Sequence, residues 1–335
     1  METNKKKKPY YLIVVAIALV IMYFVFRDSL EDIIGEIKNI DFNTIIKLMI
    51  LGFIPFLIEP LIIKMLLKDE KELTYRRALS STFNAWFYRG ITFGTGTQLA
   101  QVAFLTKYDI SVGKSMSALT FMYLFQKIAV VIMGLMGYLI NRAFIKKVYD
   151  SAAKYILLTI LLAFIIAVFL VLLNMSKKFH QFLIGLLRKI SQKEVYQEKI
   201  DKLENEFEKL REESKFIVEN KKMIVLAIVL QMTKLLQWYM VPYVLIRALG
   251  KSMGFIEIVG TMAIVMMIIG VIPSTGGVGS TEFAFILLFT QIIGAVKAKS
   301  YSLIYRAVTF YYPFLLGMIY MIMYRLITTI KEEHS

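Results

Sequence analysis

The chain has 335 residues, 58% of them hydrophobic, with a formal net charge of +15, no cysteine and two histidines. The apolar share exceeds the roughly 45–50% of a soluble domain and lies in long runs, which excludes an ordinary soluble enzyme. Without cysteine there is no disulfide, thiolate nucleophile or Cys-type metal site. His180 and His334 are too few and too far apart in sequence for a histidine metal site, so no metal and no cofactor are expected.

Lys5–Lys8 precede Tyr10–Phe26, 17 residues without a charge. A secretory signal has an apolar region of about 7–15 residues and ends at small residues. This run ends in Tyr23-Phe24-Val25-Phe26. A retained first span at about 10–27 is therefore expected, with the N-terminus cytoplasmic and the chain multi-pass in the cell membrane. Acidic residues 28–41 then face the other side. A second span at about 43–67 follows, in which Glu59 and Lys64 flank Pro60 and are expected to reach the interface.

Residues 78–106 are apolar but broken at Gly90, Gly94 and Gly96, which reads as a short or re-entrant helical pair. A helix at about 113–140 and a span at about 152–174 complete the first half, about 10–174. Residues 176–222 hold twelve Lys/Arg and nine Asp/Glu, a water-exposed helical hairpin on the cytoplasmic side. The second half, about 223–330, has spans at 222–249 and 254–272, a Gly-rich break, a helix at 283–296 and a last segment at 301–330. Pro313 should kink or split that segment. The expected fold is an all-α integral membrane protein of six to eight transmembrane or re-entrant helices, in two pseudo-repeated halves.

Chemistry concentrates at the two breaks. Val271-Ile-Pro-Ser-Thr-Gly-Gly-Val-Gly-Ser-Thr-Glu282 is poor material for a spanning helix. Non-helical backbone at depth survives only inside protein or beside a wet cavity. Gly276, Gly277 and Gly279 let backbone amides converge on an anion at the start of the next helix. Ser280 or Thr281 supplies a hydroxyl or an N-cap there. Glu282 on an apolar helix costs about 2.5–3.5 kcal/mol, so it needs a partner, and Arg306 and Lys234 are the candidates.

Arg89-Gly-Ile-Thr-Phe-Gly-Thr-Gly-Thr-Gln98 is a weaker copy of the same device. Its candidate residues are Arg89, whose fork suits a phosphate, with Gly94, Gly96, Gln98 and Gln101. Lys127 lies mid-helix and is hard to explain as surface. Two Gly-interrupted segments in corresponding halves point to a transporter binding site. The bland alternatives are close helix packing through glycine and structural ion pairs.

The stretches Gly-Thr-Gly-Thr-Gln98, Phe104-Leu105-Thr-Lys107 and Asp-Ile-Ser111 resemble the first-half signature of the lysylphosphatidylglycerol synthase/flippase transmembrane family. Pro273-Ser-Thr-Gly-Gly-Val-Gly-Ser-Thr-Glu282 resembles its second-half signature, and the resemblance covers most of residues 8–330. Some family members carry a soluble domain that transfers lysine from charged tRNA to phosphatidylglycerol. The chain here ends at Ser335, so the expectation is the membrane domain without that chemistry.

What the resemblance implies is binding and translocation of a lipid between leaflets, an anionic phospholipid or an aminoacyl-phospholipid. Two other readings stay open: a lipid-modifying membrane enzyme, and a scaffold that recruits a cytosolic partner through 176–222. A homo-oligomer is compatible with the sequence. The basic charge fits lipid head groups, and no aromatic-basic module favours nucleic acid.

Overall fold

Asp41, Thr74, Ser111 and Asn220 each stand at the head of an apolar or amphipathic run, and each starts a helix. Their side-chain oxygens accept the backbone N–H groups of Thr44, Arg77, Lys114 and Met223 at 2.9, 3.3, 3.2 and 3.0 Å. Such caps satisfy donors that the first helical turn leaves open, at about 1 kcal/mol each. The structure, a computed structural model, describes Gly35, Lys38 and residues 40–150, 153–190, 194–272, 277 and 279–333. The expected first span and the side on which the N-terminus lies fall outside the described residues.

The described chain is helical, with no strand among the described residues. In order come α1 (Phe42–Leu66), α2 (Tyr75–Ile91), α3 (Thr97–Leu105), α4 (Val112–Ile140), α5 (Arg142–Tyr149) and α6 (Ala153–Met175). Then follow α7 (Lys177–Ile190), α8 (Glu194–Glu219), α9 (Lys221–Ala248), α10 (Phe255–Val271), α11 (Ser280–Ile293), α12 (Ala295–Arg306) and α13 (Tyr312–Glu333). Among the described residues, α1, α4, α6, α9 and the segment Ala295–Tyr324 are long and apolar enough to cross a membrane, and α10 and α11 are shorter apolar helices. An all-α, multi-pass membrane protein results.

The two breaks fall where the glycines put them. α2 and α3 form the expected helical pair around residues 92–96, and α10 and α11 flank the second break. Pro313 does not simply kink the last segment. A π turn, Ala307–Tyr311, sits just before it, so the segment is split into α12 and α13. Pro313 becomes the second residue of α13, close to the helix start, where its missing N–H costs little.

Packing mixes the halves. α9 lies against α1 and α4, α10 against α4 and α6, and α13 against α2. Close approach explains two of these seams. A methyl built on Gly137 of α4 would stand 2.9 Å from the Gly260 carbonyl oxygen of α10, and one on Gly317 of α13 would stand 2.7 Å from the Phe83 carbonyl oxygen of α2. Backbones can meet that closely only through small residues, the usual device of membrane helices. Asn141 fastens the first seam, its Nδ2 donating to the carbonyls of Gly137 at 2.8 Å and Ile256 at 3.0 Å.

The charged stretch 176–222 is a pair of helices, α7 and α8, as its composition suggested. It is not solvated throughout, since Ser214 and Ile217 of α8 are buried, and α8 packs on α4.

Candidate functional site: a charged cluster between the halves

Five ionisable side chains from five helices meet within the apolar bundle. On α1, Glu59 is only 8% exposed, and its Oε2 lies 3.6 Å from the Nζ of Lys234 on α9, itself 2% exposed. On α11, Oε1 of Glu282 lies 3.1 Å from Nε of Arg306 at the end of α12. Arg89, in the last turn of α2, lies in the attractive field of Glu59 and the repulsive field of Arg306. The guanidinium of Arg89 sits over the Trp86 ring at 4.7 Å, and Trp86 meets Trp238 of α9 edge-on at 6.1 Å.

The charges do not balance. The cluster sets three cations, Arg89, Lys234 and Arg306, against two carboxylates, Glu59 and Glu282. Each carboxylate is committed to one cation. Among the described residues, no carboxylate reaches ion-pair distance of Arg89, and its buried Nε has no hydrogen-bond acceptor. The second oxygen of Glu282, Oε2, is likewise buried without a donor. Burying a charge in a weakly polar medium is costly unless it is paired, so this surplus fits an anionic group.

The Gly-rich breaks supply the backbone around it. Gly277 and Gly279 take φ of +74° and +76°, a conformation that side chains other than glycine adopt at a cost. A methyl on Gly277 would lie 3.4 Å from Nη1 of Arg306, so Gly277 itself sits against the guanidinium. α11 starts at Gly279 without a side-chain cap. The expected capping role of Ser280 or Thr281 is therefore corrected: both lie inside the first turn and are buried. Gly276 lies outside the described residues.

The first-half break is also left-handed, at Phe93 (φ +51°) and Gly94 (φ +88°). Its threonines close it: Thr92 Oγ1 accepts from the N–H of Gly96 at 2.9 Å, and Thr97 Oγ1 donates to the Gly94 carbonyl at 3.0 Å.

The structure thus brings together Arg89, Lys234, Gly277, Glu282 and Arg306. It does not bring Gln98, which is exposed on α3, into contact with them. Gly94 and Gly96 shape the loop that follows Arg89. Gln101 is buried with its Nε2 unpartnered. Lys127 lies apart, 5.2 Å from the Tyr123 ring centroid and lining a small cavity with Met267, Gly270 and Ala163.

Of the two candidate partners for Glu282, Arg306 is the one that pairs. Lys234 takes Glu59, which sequence reasoning had sent to the interface. The signal for Glu59 was present: a carboxylate beside a proline, deep in a 25-residue apolar helix.

A larger cavity of about 530 Å³ opens on the outer side of α11. Tyr155, Ile156 and Thr159 of α6, Ile268 of α10, and Phe283 and Leu287 of α11 line it. Tyr155, Phe283 and Leu287 are exposed, so its mouth faces the surroundings of the bundle. Its wall is mostly apolar and begins one residue after Glu282.

A helical bundle with several spans long and apolar enough to cross a membrane, Gly-broken elements and a largely buried charge cluster belongs to the class of multi-pass membrane proteins. The family model for the lysylphosphatidylglycerol synthase TM region matches residues 11–317, and the chain belongs to that family. No curated protein and no solved structure matches it.

Proposed function

We propose that the protein binds a phospholipid head group between its two halves and passes it between leaflets, as a flippase. The observation that carries this reading is Arg89, a partly buried guanidinium whose Nε is buried without an acceptor, beside two ion pairs and with no carboxylate of its own among the described residues. A lipid phosphate supplies the missing charge, and a planar fork suits phosphate oxygens. Oε2 of Glu282, without a hydrogen-bond donor among the described residues, suits the ammonium of an aminoacylated head group. The apolar groove beginning at Phe283 suits an acyl chain, within the roughly 300–1,000 Å³ of ordinary ligand pockets. Head group inside and tails outside is the arrangement that translocation along a bundle requires. The lipid itself, phosphatidylglycerol or its lysyl ester, is the partner in this reading.

The test is leaflet exchange in proteoliposomes with fluorescent phosphatidylglycerol and lysyl-phosphatidylglycerol. Arg89→Ala is expected to slow exchange of both lipids about tenfold or more, equivalent to losing at least about 1.4 kcal/mol. Glu282→Gln is expected to slow the lysyl lipid more than the unmodified one. Exchange that is absent with folded wild-type protein, or that both variants leave unchanged, would refute the proposal.

A further inference from the structure

Helix α7 carries an apolar face that is left exposed among the described residues. Its 14 residues hold four cations and no acid. At 100° per residue, Phe179, Phe182, Leu183, Leu186 and Leu187 fall within one arc, Lys177 and Arg188 fall on the opposite side, and Lys178 and Lys189 fall at the edge of the arc next to Phe182. Phe182 is 63% exposed, and Leu186 and Leu187 are exposed as well.

The protein grips the helix on a third side. Ile184 and His180 are buried, and Arg188 pairs with Asp201 at 2.9 Å and Glu204 at 2.7 Å on α8. The bare face is therefore held in a fixed direction by its own contacts.

What the face meets is given by the helix before it. α6 is apolar all round and shows most of its surface to the surroundings, as a lipid-facing span does. Phe169 on that surface packs edge-on against Phe179 at 5.7 Å, and Phe179 stacks on Phe182 at 6.4 Å. The lipid-facing side of α6 thus runs without interruption into the bare face of α7.

The junction is a capped turn: Ser176 Oγ accepts from the N–H of Phe179 at 3.2 Å, and the His180 ring bonds the Leu173 carbonyl. Lys178 and Lys189 lie about 20° apart around the helix, beside the apolar arc. From there their ammonium groups reach phosphates while their stems lie on hydrocarbon.

We infer that α7 lies in the plane of the bilayer surface, with its Phe182–Leu186 face in the acyl boundary of the leaflet at the α6 C-terminus and its lysines on anionic head groups. A helix of this pattern binds by buried apolar area plus attraction to anionic lipid. The inference does not rest on lipid transport.

The absence of native cysteine makes the test direct. Phe182→Cys, Leu186→Cys, Gln181→Cys and Gly185→Cys chains, each with an environment-sensitive fluorophore, go into proteoliposomes with and without phosphatidylglycerol. Labels at 182 and 186 are expected to be quenched severalfold more by nitroxide lipid than labels at 181 and 185, and less by aqueous iodide. The contrast is expected to shrink in phosphatidylcholine alone and in a Lys178→Glu/Lys189→Glu background. Equal accessibility of all four labels to iodide would overturn the inference and leave the face to a soluble partner. A contrast that ignores lipid charge would overturn its head-group part.

Discussion

Glu59 and Lys234 come from opposite halves of the chain and meet 3.6 Å apart at the centre of the bundle, with Arg89 in the field of both. The pair joins α1 to α9, and its two members are not equivalent. Loss of Lys234 leaves Glu59 with Arg89 as a substitute cation. Loss of Glu59 leaves Lys234 and Arg89 facing each other.

Glu59→Gln is therefore expected to be the more damaging change, near the 3–5 kcal/mol typical of breaking a buried pair (~4 kcal/mol). Lys234→Met should cost less, and the double variant Glu59→Gln/Lys234→Met should recover part of the loss. Unfolding followed in detergent, analysed as a double-mutant cycle, measures all three. Equal single losses that simply add would show that the two side chains are not coupled.

Gly277 and Gly279 share the same left-handed backbone but not the same surroundings. Alanine at either position carries about 1–2 kcal/mol of backbone strain. At Gly279 the added methyl meets nothing within 4 Å, whereas at Gly277 it meets Thr281 Oγ1 at 3.1 Å and the Arg306 guanidinium at 3.4 Å. Gly277→Ala is thus expected to slow lipid exchange further than Gly279→Ala while the two melt alike. Identical exchange rates would mean that the position of Arg306 does not matter to the site.

Helix seams give a third expectation. Gly137→Ala presses on the Gly260 carbonyl and Gly317→Ala on the Phe83 carbonyl, where backbone has to yield. Each should cost about 1–3 kcal/mol. Gly185, on exposed α7, has open space around it, and alanine there should gain up to about 1 kcal/mol of helix propensity. Thermal unfolding of the three variants decides it; a destabilised Gly185→Ala chain would contradict the placement of that glycine.

Helix positions were legible in the sequence because runs such as Tyr155–Leu173 have only one way to satisfy their backbone in hydrocarbon. Both breaks were legible for the same reason, since glycine and proline interrupt that solution. Pairing was not. α1 is apolar on every side, so nothing in its periodicity says that Glu59 turns inward; the packing of α9 against it does. Glu282 had two cations within reach on paper, and only the fold places Arg306 rather than Lys234 beside it. On α7 the count of charges pointed to a solvated helix, while their placement on one side left an apolar face that a count cannot reveal.

The cavity beside α11 has walls of unequal height. At 1.5 Å per residue, the 23 residues of α6 make a wall about 35 Å tall, and the 14 residues of α11 one of about 21 Å. A hydrocarbon layer of roughly 30 Å is matched in length by α6 but not by α11. The wall that α11 offers is thus about 14 Å shorter than that of α6, and it is the short wall whose first turn carries Glu282.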